Sequence, residues 1–555
     1  MTKKISFLFS CLAVIIFITY ACDTLRTAEI KVQQWEEFEI EFLSNSEYLN
    51  PYTDVEFWVV FTSPKGEELK RPGYWEKDNL WKVSFACPTN SGSWNWISYA
   101  SNENDDGLNG KHGTFQATDY AGNNSLISHG LLHMSPGKRN VIHADGKPFL
   151  MIGDTPWALP WRGSFETVKI YAQNRQQIGF NTALLMSLMP DRGVDGPRNR
   201  TESGGFDVAF EDLKEGHINK VNPEYFIYLD SLCSILINHG IVPVFQPVFH
   251  GFGWKGKELL GWNMDASEYA RYCRYLVARY GAKPAMWLVG ADSDGKFPGI
   301  SEGGEEIEKW DCYSQPTGLH YSPFDDIIPD WMNEEQKRNY EPHMNRTHQA
   351  SEWLDFQWCQ TGHGGEHLLH KVALMYENKP TKAVANGEPT YEGIRDAMNG
   401  AGWWQGHEAW SQFLSGGTMG VVYGAGGLWN WKLLPDEEGW EAWANSDVSW
   451  KEAIDLPGAR YVGYLGKALD GLDFIDIEKH AELAEGNLCL AKPGKLFIVY
   501  LPEGGQVNIK DLPEQGIYKW FDPVDGKFIS DGEIDISVSD FKSPIEGPSV
   551  LIINN

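Results

Sequence analysis

Cysteine is scarce and scattered in this 555-residue chain. The eight Cys are Cys11, Cys22, Cys87, Cys233, Cys273, Cys312, Cys359 and Cys489, with no C-x-x-C pair among them. That spacing argues against a zinc site or a dense disulfide framework. Several lie in apolar helix or strand patterns and read as buried free thiols. Positive charge is also short: 47 Lys and Arg stand against 76 Asp and Glu, a formal net charge of -29. A surface that acidic repels nucleic acid and anionic lipid, so no nucleic-acid partner is expected. The chain has no Gly-rich loop of the kind that cradles phosphate and no Ser nucleophile elbow, and its His residues are not spaced as a metal cluster on one helix. Nothing in it calls for a metal or an organic cofactor. Internal repeats and low-complexity tracts are absent too.

Long apolar runs are missing with one exception. Ile5 to Thr19 follows Lys3 and Lys4 and is nearly uninterrupted. It is too short for a comfortable membrane span and reads as an export signal. It runs into Thr19-Tyr20-Ala21-Cys22, which resembles a bacterial lipoprotein processing site, although Thr19 stands where an aliphatic residue is usual. In that reading residues 1–22 are the signal and Cys22 becomes the lipidated N-terminus. The protein is then an outer-membrane or cell-surface lipoprotein, or periplasmic, and meets the membrane only through the lipid. Cleavage near Ala21 without a lipid is the alternative.

What the chain does have is an ordinary apolar fraction, 42%, and many aromatics: 24 Trp, 23 Tyr and 27 Phe. Such rings build cores, and they also stack on the C–H faces of sugars. Residues 28–125 read as a β-sandwich. Phe38 to Phe42 and much of Val55 to Phe61 alternate apolar and polar. Trp81 to Phe85 and Trp94 to Tyr99 continue the pattern between turn clusters. Residues 135–465 change rhythm. Strand-like runs at Phe149–Ile152, Thr182–Met186, Val242–Phe245, Met286–Val289, Cys312–Ser314, Leu354–Trp358, Ala383–Ala385 and Gly420–Tyr423 alternate with helical stretches, clearest at Phe165–Ile178, Pro223–His239 and Ser267–Tyr280. Eight strands alternating with helices predict an α/β fold, a (β/α)₈ TIM barrel. Gly299 to Trp310, acidic and Gly-rich, reads as a loop. Residues 468–555 lose the helices and read as a second small β domain, with strands at Leu496–Leu501, Gln506–Ile509 and Tyr518–Phe521.

A barrel of this kind places its active site at the C-terminal ends of the strands. The polar residues ending the predicted strands therefore form the candidate site: Asp154 and Trp157 after strand one, His250 after strand three, Asp292 after strand four and His320 after strand five. Gln360 and His363 follow strand six, Glu388 strand seven, and Tyr423 and Trp429 strand eight. Two carboxylates on separate strands, ringed by aromatics and hydrogen-bonding groups, suit glycoside hydrolysis. One stays protonated to donate to the leaving oxygen, and the other stays ionised to attack the anomeric carbon. Each residue also has a plainer reading. Asp292-Ser293-Asp294-Gly295 could be a turn, with Asp294 the better acid. Glu388 before Pro389 could be a structural strand end, and Asp154 a helix cap. His250, His320 and His363 could be satisfied core or loop histidines, and Trp157 and Trp429 rim packing. Asp195 to Arg200, after strand two, could shape the pocket.

The stretches Gly153-Asp154-Thr155-Pro156-Trp157, Gly179-Phe180-Asn181, Trp287 to Asp292, Gln360-Thr361-Gly362-His363, Asn386 to Gly393 and Tyr423-Gly424 resemble the apiosidase-like family of glycoside hydrolases. Acids after strands four and seven are also the arrangement of a large clan of retaining glycosidases. The resemblance implies a retaining mechanism with Asp292 as acid/base and Glu388 as nucleophile. The expected substrate is a plant or algal cell-wall polysaccharide or its oligosaccharides. Ala291 stands where the family usually has a second Gly before the acid. The N-terminal region resembles a β domain that often precedes such barrels. The C-terminal region is similar to a β domain that carries a collagen-binding label in this family, and it reads here as an accessory domain packed on the barrel. A non-catalytic carbohydrate-binding protein on a decayed barrel, a polysaccharide lyase and a surface adhesin are the competing classes.

Overall fold

The computed structural model describes residues 29–189, 208–250, 260–322, 346–363, 369–394, 402–435 and 446–555. Cys22 and the Asp195 to Arg200 segment lie outside them. At the centre is a closed barrel of eight parallel strands: β1 (Met151–Asp154), β2 (Thr182–Met186), β3 (Val242–Gln246), β4 (Met286–Leu288), β5 (Thr317–His320), β6 (Phe356–Gln360), β7 (Ala383–Glu388) and β8 (Gly420–Tyr423). Pairing of β1 with β8 closes it. Every residue of these strands is buried. Strands covered on both faces have no solvent side, so they read as apolar runs rather than as alternation.

The longer helices outside the barrel are α1 (Phe165–Gln177), α2 (Pro223–Asn238), α3 (Ala266–Tyr280), α4 (Ile300–Trp310), α5 (Leu369–Glu377), α6 (Trp403–Leu414) and α7 (Gly458–Leu469). Their starts are written in the sequence. Ser164 and Thr167 form a capping box on α1, Pro223 opens α2, and Asp265 accepts the Ser267 and Glu268 N–H groups at α3.

Two sequence expectations are corrected here. The fifth strand is Thr317–His320, not Cys312–Ser314. The buried Asp311 carboxylate collects the Tyr313 and Gln315 N–H groups at 3.1 and 3.2 Å, which makes 311–315 a turn. Gly299 to Trp310 is not a loop but carries α4. Its glycines serve close packing: a Cβ on Gly303 would lie 2.5 Å from the Tyr269 ring, and one on Gly304 2.3 Å from Trp353. Gly299, at φ +87°, supplies the left-handed turn into the helix.

The N-terminal sandwich faces a five-stranded sheet against a three-stranded one around Phe57, Val59, Phe61, Phe85 and Trp94. It docks on the barrel helices. Arg71 Nη2 donates to the Val277 carbonyl at 2.9 Å, at the end of α3. Arg279 joins Asp230 of α2 at 2.6 Å to Glu76 of the sandwich at 2.8 Å. The C-terminal domain has a six-stranded and a two-stranded sheet. It seats on α6, where Tyr500 stacks on Trp410 and its hydroxyl lies 2.9 Å from His407 Nδ1.

Candidate active site

Glu388 is the last residue of β7 and is buried. The strand reaches it through an irregularity. Cys359 and Gln360 of β6 pair with Asn386 and Glu388, so Gly387 is an extra residue in the ladder. Such a bulge re-aims the side chain that follows it. Only glycine fits there, because a Cβ would lie 1.9 Å from Trp358 Nε1. The re-aimed carboxylate meets two imidazoles. His363 Nε2 donates to Oε1 at 2.9 Å. His320 Nε2 lies 2.9 Å from Oε2, off the line of a good hydrogen bond.

The far nitrogens of both rings are anchored as well. His320 Nδ1 is 2.8 Å from Gln246 Oε1, at the end of β3, and His363 Nδ1 is 3.0 Å from the Pro389 carbonyl. Burial alone would push the Glu388 carboxyl up. The close contacts and positive potential of His320 and His363 outweigh it and bring the pKa down to about 2.

Asp292 has the opposite balance. It lies beyond β4, between two single bridges that extend the barrel pairing, Phe249 with Ala291 and Ser293 with Tyr321. Its backbone is left-handed, φ +53°, an uncommon conformation for a residue with a side chain. The carboxyl is buried, and Oδ1 has no hydrogen-bond partner among the described residues. Burial first, and the charge of Glu388 second, hold its pKa well above the usual carboxylate range. Asp294 is different: it is half-buried and its carboxylate accepts the Lys296 N–H at 2.9 Å.

The other expected site residues fall into two groups. Trp157 packs edge-on against His320 at 5.6 Å and donates to the Tyr391 hydroxyl at 3.1 Å. Gln360, paired with Glu388 across the sheet, is buried, and its Oε1 has no partner among the described residues. Trp429 is buried, and its carbonyl accepts from Ala158 at 3.1 Å. Trp157 and Gln360 thus lie beside Glu388 and its His320 partner, and Trp429 packs at the start of the loop that carries Trp157.

His250 is fully buried beside Tyr269 and Phe297. It braces the acid's loop, with Nδ1 3.4 Å from the Ala291 N–H, and burial lowers its pKa to about 3. Asp154 faces outward. Oδ2 accepts from Arg175 of α1 at 2.5 Å, and Oδ1 accepts the Thr155 N–H at 2.8 Å. Tyr423, its register partner, donates to Glu392 at 2.7 Å. Both carboxylate oxygens of Asp154 and the Tyr423 hydroxyl are therefore engaged within the protein.

Sequence reasoning did not select Tyr391, Gln246, Thr361 or Glu408. The Tyr391 ring centre is 4.3 Å from that of His363. Burial and the neighbouring Glu388 hold its hydroxyl well above the usual range. Gln246 ends β3 and was legible as a strand-end polar group. Glu408 sits in the middle of α6 and carries no strand-end signal. Among the described residues no group of three or more His, Cys, Asp or Glu is arranged to hold a metal ion.

Known proteins share this fold. The structure resembles a proposed glycoside hydrolase from Bacteroides vulgatus, with 16% identity, coverage of 95% of this chain and 100% of that one, and a TM-score of 0.67. It also resembles a family 5 glycoside hydrolase from the same organism, with 20% identity, coverage of 77% and 93%, and a TM-score of 0.60. A third glycoside hydrolase structure matches at 19% identity, with coverage of 77% and 97% and a TM-score of 0.58. At those identities the likeness shows the fold. No curated protein matches the chain. Residues 31–101 match DUF5060, a domain of unknown function, and residues 135–476 match the apiosidase-like catalytic domain. That second match covers more than half of the chain, and the protein belongs to the apiosidase-like family.

Proposed function

We propose that the protein is a retaining glycoside hydrolase acting on a plant or algal cell-wall polysaccharide or its oligosaccharides. The observation that carries the reading is the opposed state of two buried carboxyls on one barrel rim. Asp292 is kept neutral by burial and by Glu388, while Glu388 is kept ionised by two histidines. Such a split supports Asp292 as the acid and Glu388 as the nucleophile.

In the first step Glu388 attacks the anomeric carbon. Oε1 is tethered to His363, and Oε2 accepts no well-directed hydrogen bond, so Oε2 is the atom with a lone pair to spend. The glycosidic C–O bond breaks as Asp292 gives its proton to the departing oxygen, and Glu388 becomes a glycosyl ester. In the second step Asp292, now ionised, takes a proton from water, whose oxygen attacks the same carbon and frees Glu388. Trp157 and Tyr391 give the sugar an aromatic wall.

The test is sugar release by the wild type, Glu388→Ala and Asp292→Ala on plant and algal glycans and chromogenic glycosides. Mass spectrometry after a 2-fluoro glycoside should find the ester on Glu388. Release that survives Glu388→Ala would discard the nucleophile, and glycan binding without release by the wild type would point instead to a binding protein. We also propose, from the apolar run that ends at Ala21-Cys22, that the protein lies outside the cytoplasm on a lipid at Cys22; Cys22→Ser should abolish acyl labelling. No described helix is long and apolar enough to cross a membrane.

A further inference from the structure

Behind Glu388 lies a buried carboxylate that the reaction above does not use. Glu408 projects from α6 and is 1% exposed. It joins the two chain segments that leave β6 and β7. Thr361 Oγ1 donates to Glu408 Oε1 at 2.7 Å, and the Thr390 N–H donates to the same carboxylate at 3.2 Å. Those segments carry the nucleophile and its hydrogen-bond donor: Thr361 is two residues before His363, and Thr390 two after Glu388. They are cross-tied again at the site itself. The Thr361 N–H donates to the Glu388 carbonyl at 3.0 Å, and His363 Nδ1 lies 3.0 Å from the Pro389 carbonyl. Glu408 thus closes a ring of hydrogen bonds around the backbone that aims Glu388.

We infer that Glu408 is a positioning residue for the nucleophile, acting through Thr361 and Thr390; this rests on the assignment of Glu388 as nucleophile. The chemistry of the position supports it. A buried carboxylate is costly unless hydrogen-bonded or paired, and no described Lys or Arg forms an ion pair with Glu408. A leucine or methionine of similar length would fill the same space at less cost. What Glu408 adds is two directed acceptors for donors on different strands, at a distance that fixes one strand end against the other. A catalytic carboxylate misplaced by about 1 Å loses on the order of 100-fold in rate. Its helix is itself seated: Trp410 and His407, on either side of Glu408 in the chain, pack against Tyr500 of the C-terminal domain. That domain therefore supports the rim from behind.

The test compares wild type with Glu408→Gln, Thr361→Val and Thr361→Ser in the full chain, on whichever glycan the wild type cleaves. Gln keeps the shape but turns an NH₂ toward one donor. Val keeps the shape of Thr and removes the donor, whereas Ser keeps the donor. We expect kcat to fall at least about tenfold in Glu408→Gln and Thr361→Val with KM changed less than about twofold. Thr361→Ser should fall far less, and the double variant should be no worse than the poorer single one. Equal kcat in all four proteins, or losses of Thr361→Ser and Thr361→Val that match, would overturn the proposal.

Failure of the glycosidase assignment is read separately. If the wild type cleaves nothing, the ring signals of His363 are followed by NMR in the same variants. Movement of those signals in Glu408→Gln and Thr361→Val but not Thr361→Ser supports the clamp, and unmoved signals refute it.

Discussion

Replacing Glu408 by Gln should change how stability depends on pH, and the size follows from its surroundings. Burial raises its carboxyl from 4.5 to about 7; hydrogen bonds from Thr361 and Thr390 and the nearby His363 oppose the rise without cancelling it. For an acid whose pKa is higher in the fold than in the unfolded chain, the neutral form is the one the fold favours. Its contribution is fully present below pH 4.5 and is lost as pH rises through about 7. Each pKa unit corresponds to about 1.4 kcal/mol, so the loss is about 3 kcal/mol. With about 2.1 cal/mol/K per residue, a barrel domain of roughly 340 residues unfolds with about 0.7 kcal/mol/K, and 3 kcal/mol becomes about 4–5 °C in Tm. Other buried acids, Asp292 and Asp355 among them, give slopes of their own. They cancel in the difference between wild type and Glu408→Gln. Differential scanning calorimetry at pH 4 and pH 8 should show the Gln variant gaining about 4–5 °C on the wild type between the two. A constant offset across that interval would mean that Glu408 does not titrate there, and would refute the reasoning.

Three further outcomes follow from the site. His363→Ala removes the best hydrogen bond to Glu388; since that bond helps hold the carboxyl near 2 against burial, its pKa should rise and the acidic limb of kcat/KM should move to higher pH. An unmoved limb would detach His363 from the nucleophile. Asp292→Asn should remove the basic limb, because the working form of Asp292 is protonated and is lost as pH rises through its elevated pKa. It should also depress turnover of glycosides with poor leaving groups far more than of nitrophenyl glycosides. Gly387→Ala puts a methyl carbon 1.9 Å from Trp358 Nε1; overpacking of this kind costs about 1–3 kcal/mol. A Tm equal to wild type would show that the bulge can yield.

The barrel was legible because its evidence is repetitive. Thr182–Met186 and Gly420–Tyr423 match their sequence reading residue for residue, and α1, α2 and α3 match within one residue at each end. Buried parallel strands are short apolar runs bounded by helix caps, and both signals are local. The misreadings share another cause. Cys312–Ser314 is apolar enough for a strand, and only the side chain of Asp311 reveals the turn. The glycines of α4 look like breakers until Tyr269 and Trp353 are seen against them. In the site, Glu388 could be picked out because it ends β7, and Asp292 because it follows β4 on the same rim. Glu408 could not, because a buried Glu on a helix is written like an exposed one.

Asp154 tests what strand-end position does not reveal, which is the face a side chain takes. In a parallel sheet, side chains in register emerge on the same face, and one step along the strand reverses it. Asp154 is in register with Tyr423, and both turn toward the helices, where Arg175 of α1 meets Asp154 and its guanidinium lies 5.7 Å from the Tyr423 ring. Glu388 is in register with Gln360, and both turn to the opposite face, where Glu388 meets His320 and His363. Two carboxylates at strand ends of one barrel thus serve opposite faces. Asp154→Asn should therefore leave KM within about twofold while it removes the counter-charge of an Arg175 that is fully buried. Removing one partner of a buried ion pair costs about 3–5 kcal/mol. At about 0.7 kcal/mol/K for a domain of this size, that is a fall of about 4–7 °C in Tm. Substitution of Asp154 that raised KM tenfold with Tm unchanged would return this residue to the sugar site and overturn the assignment by face.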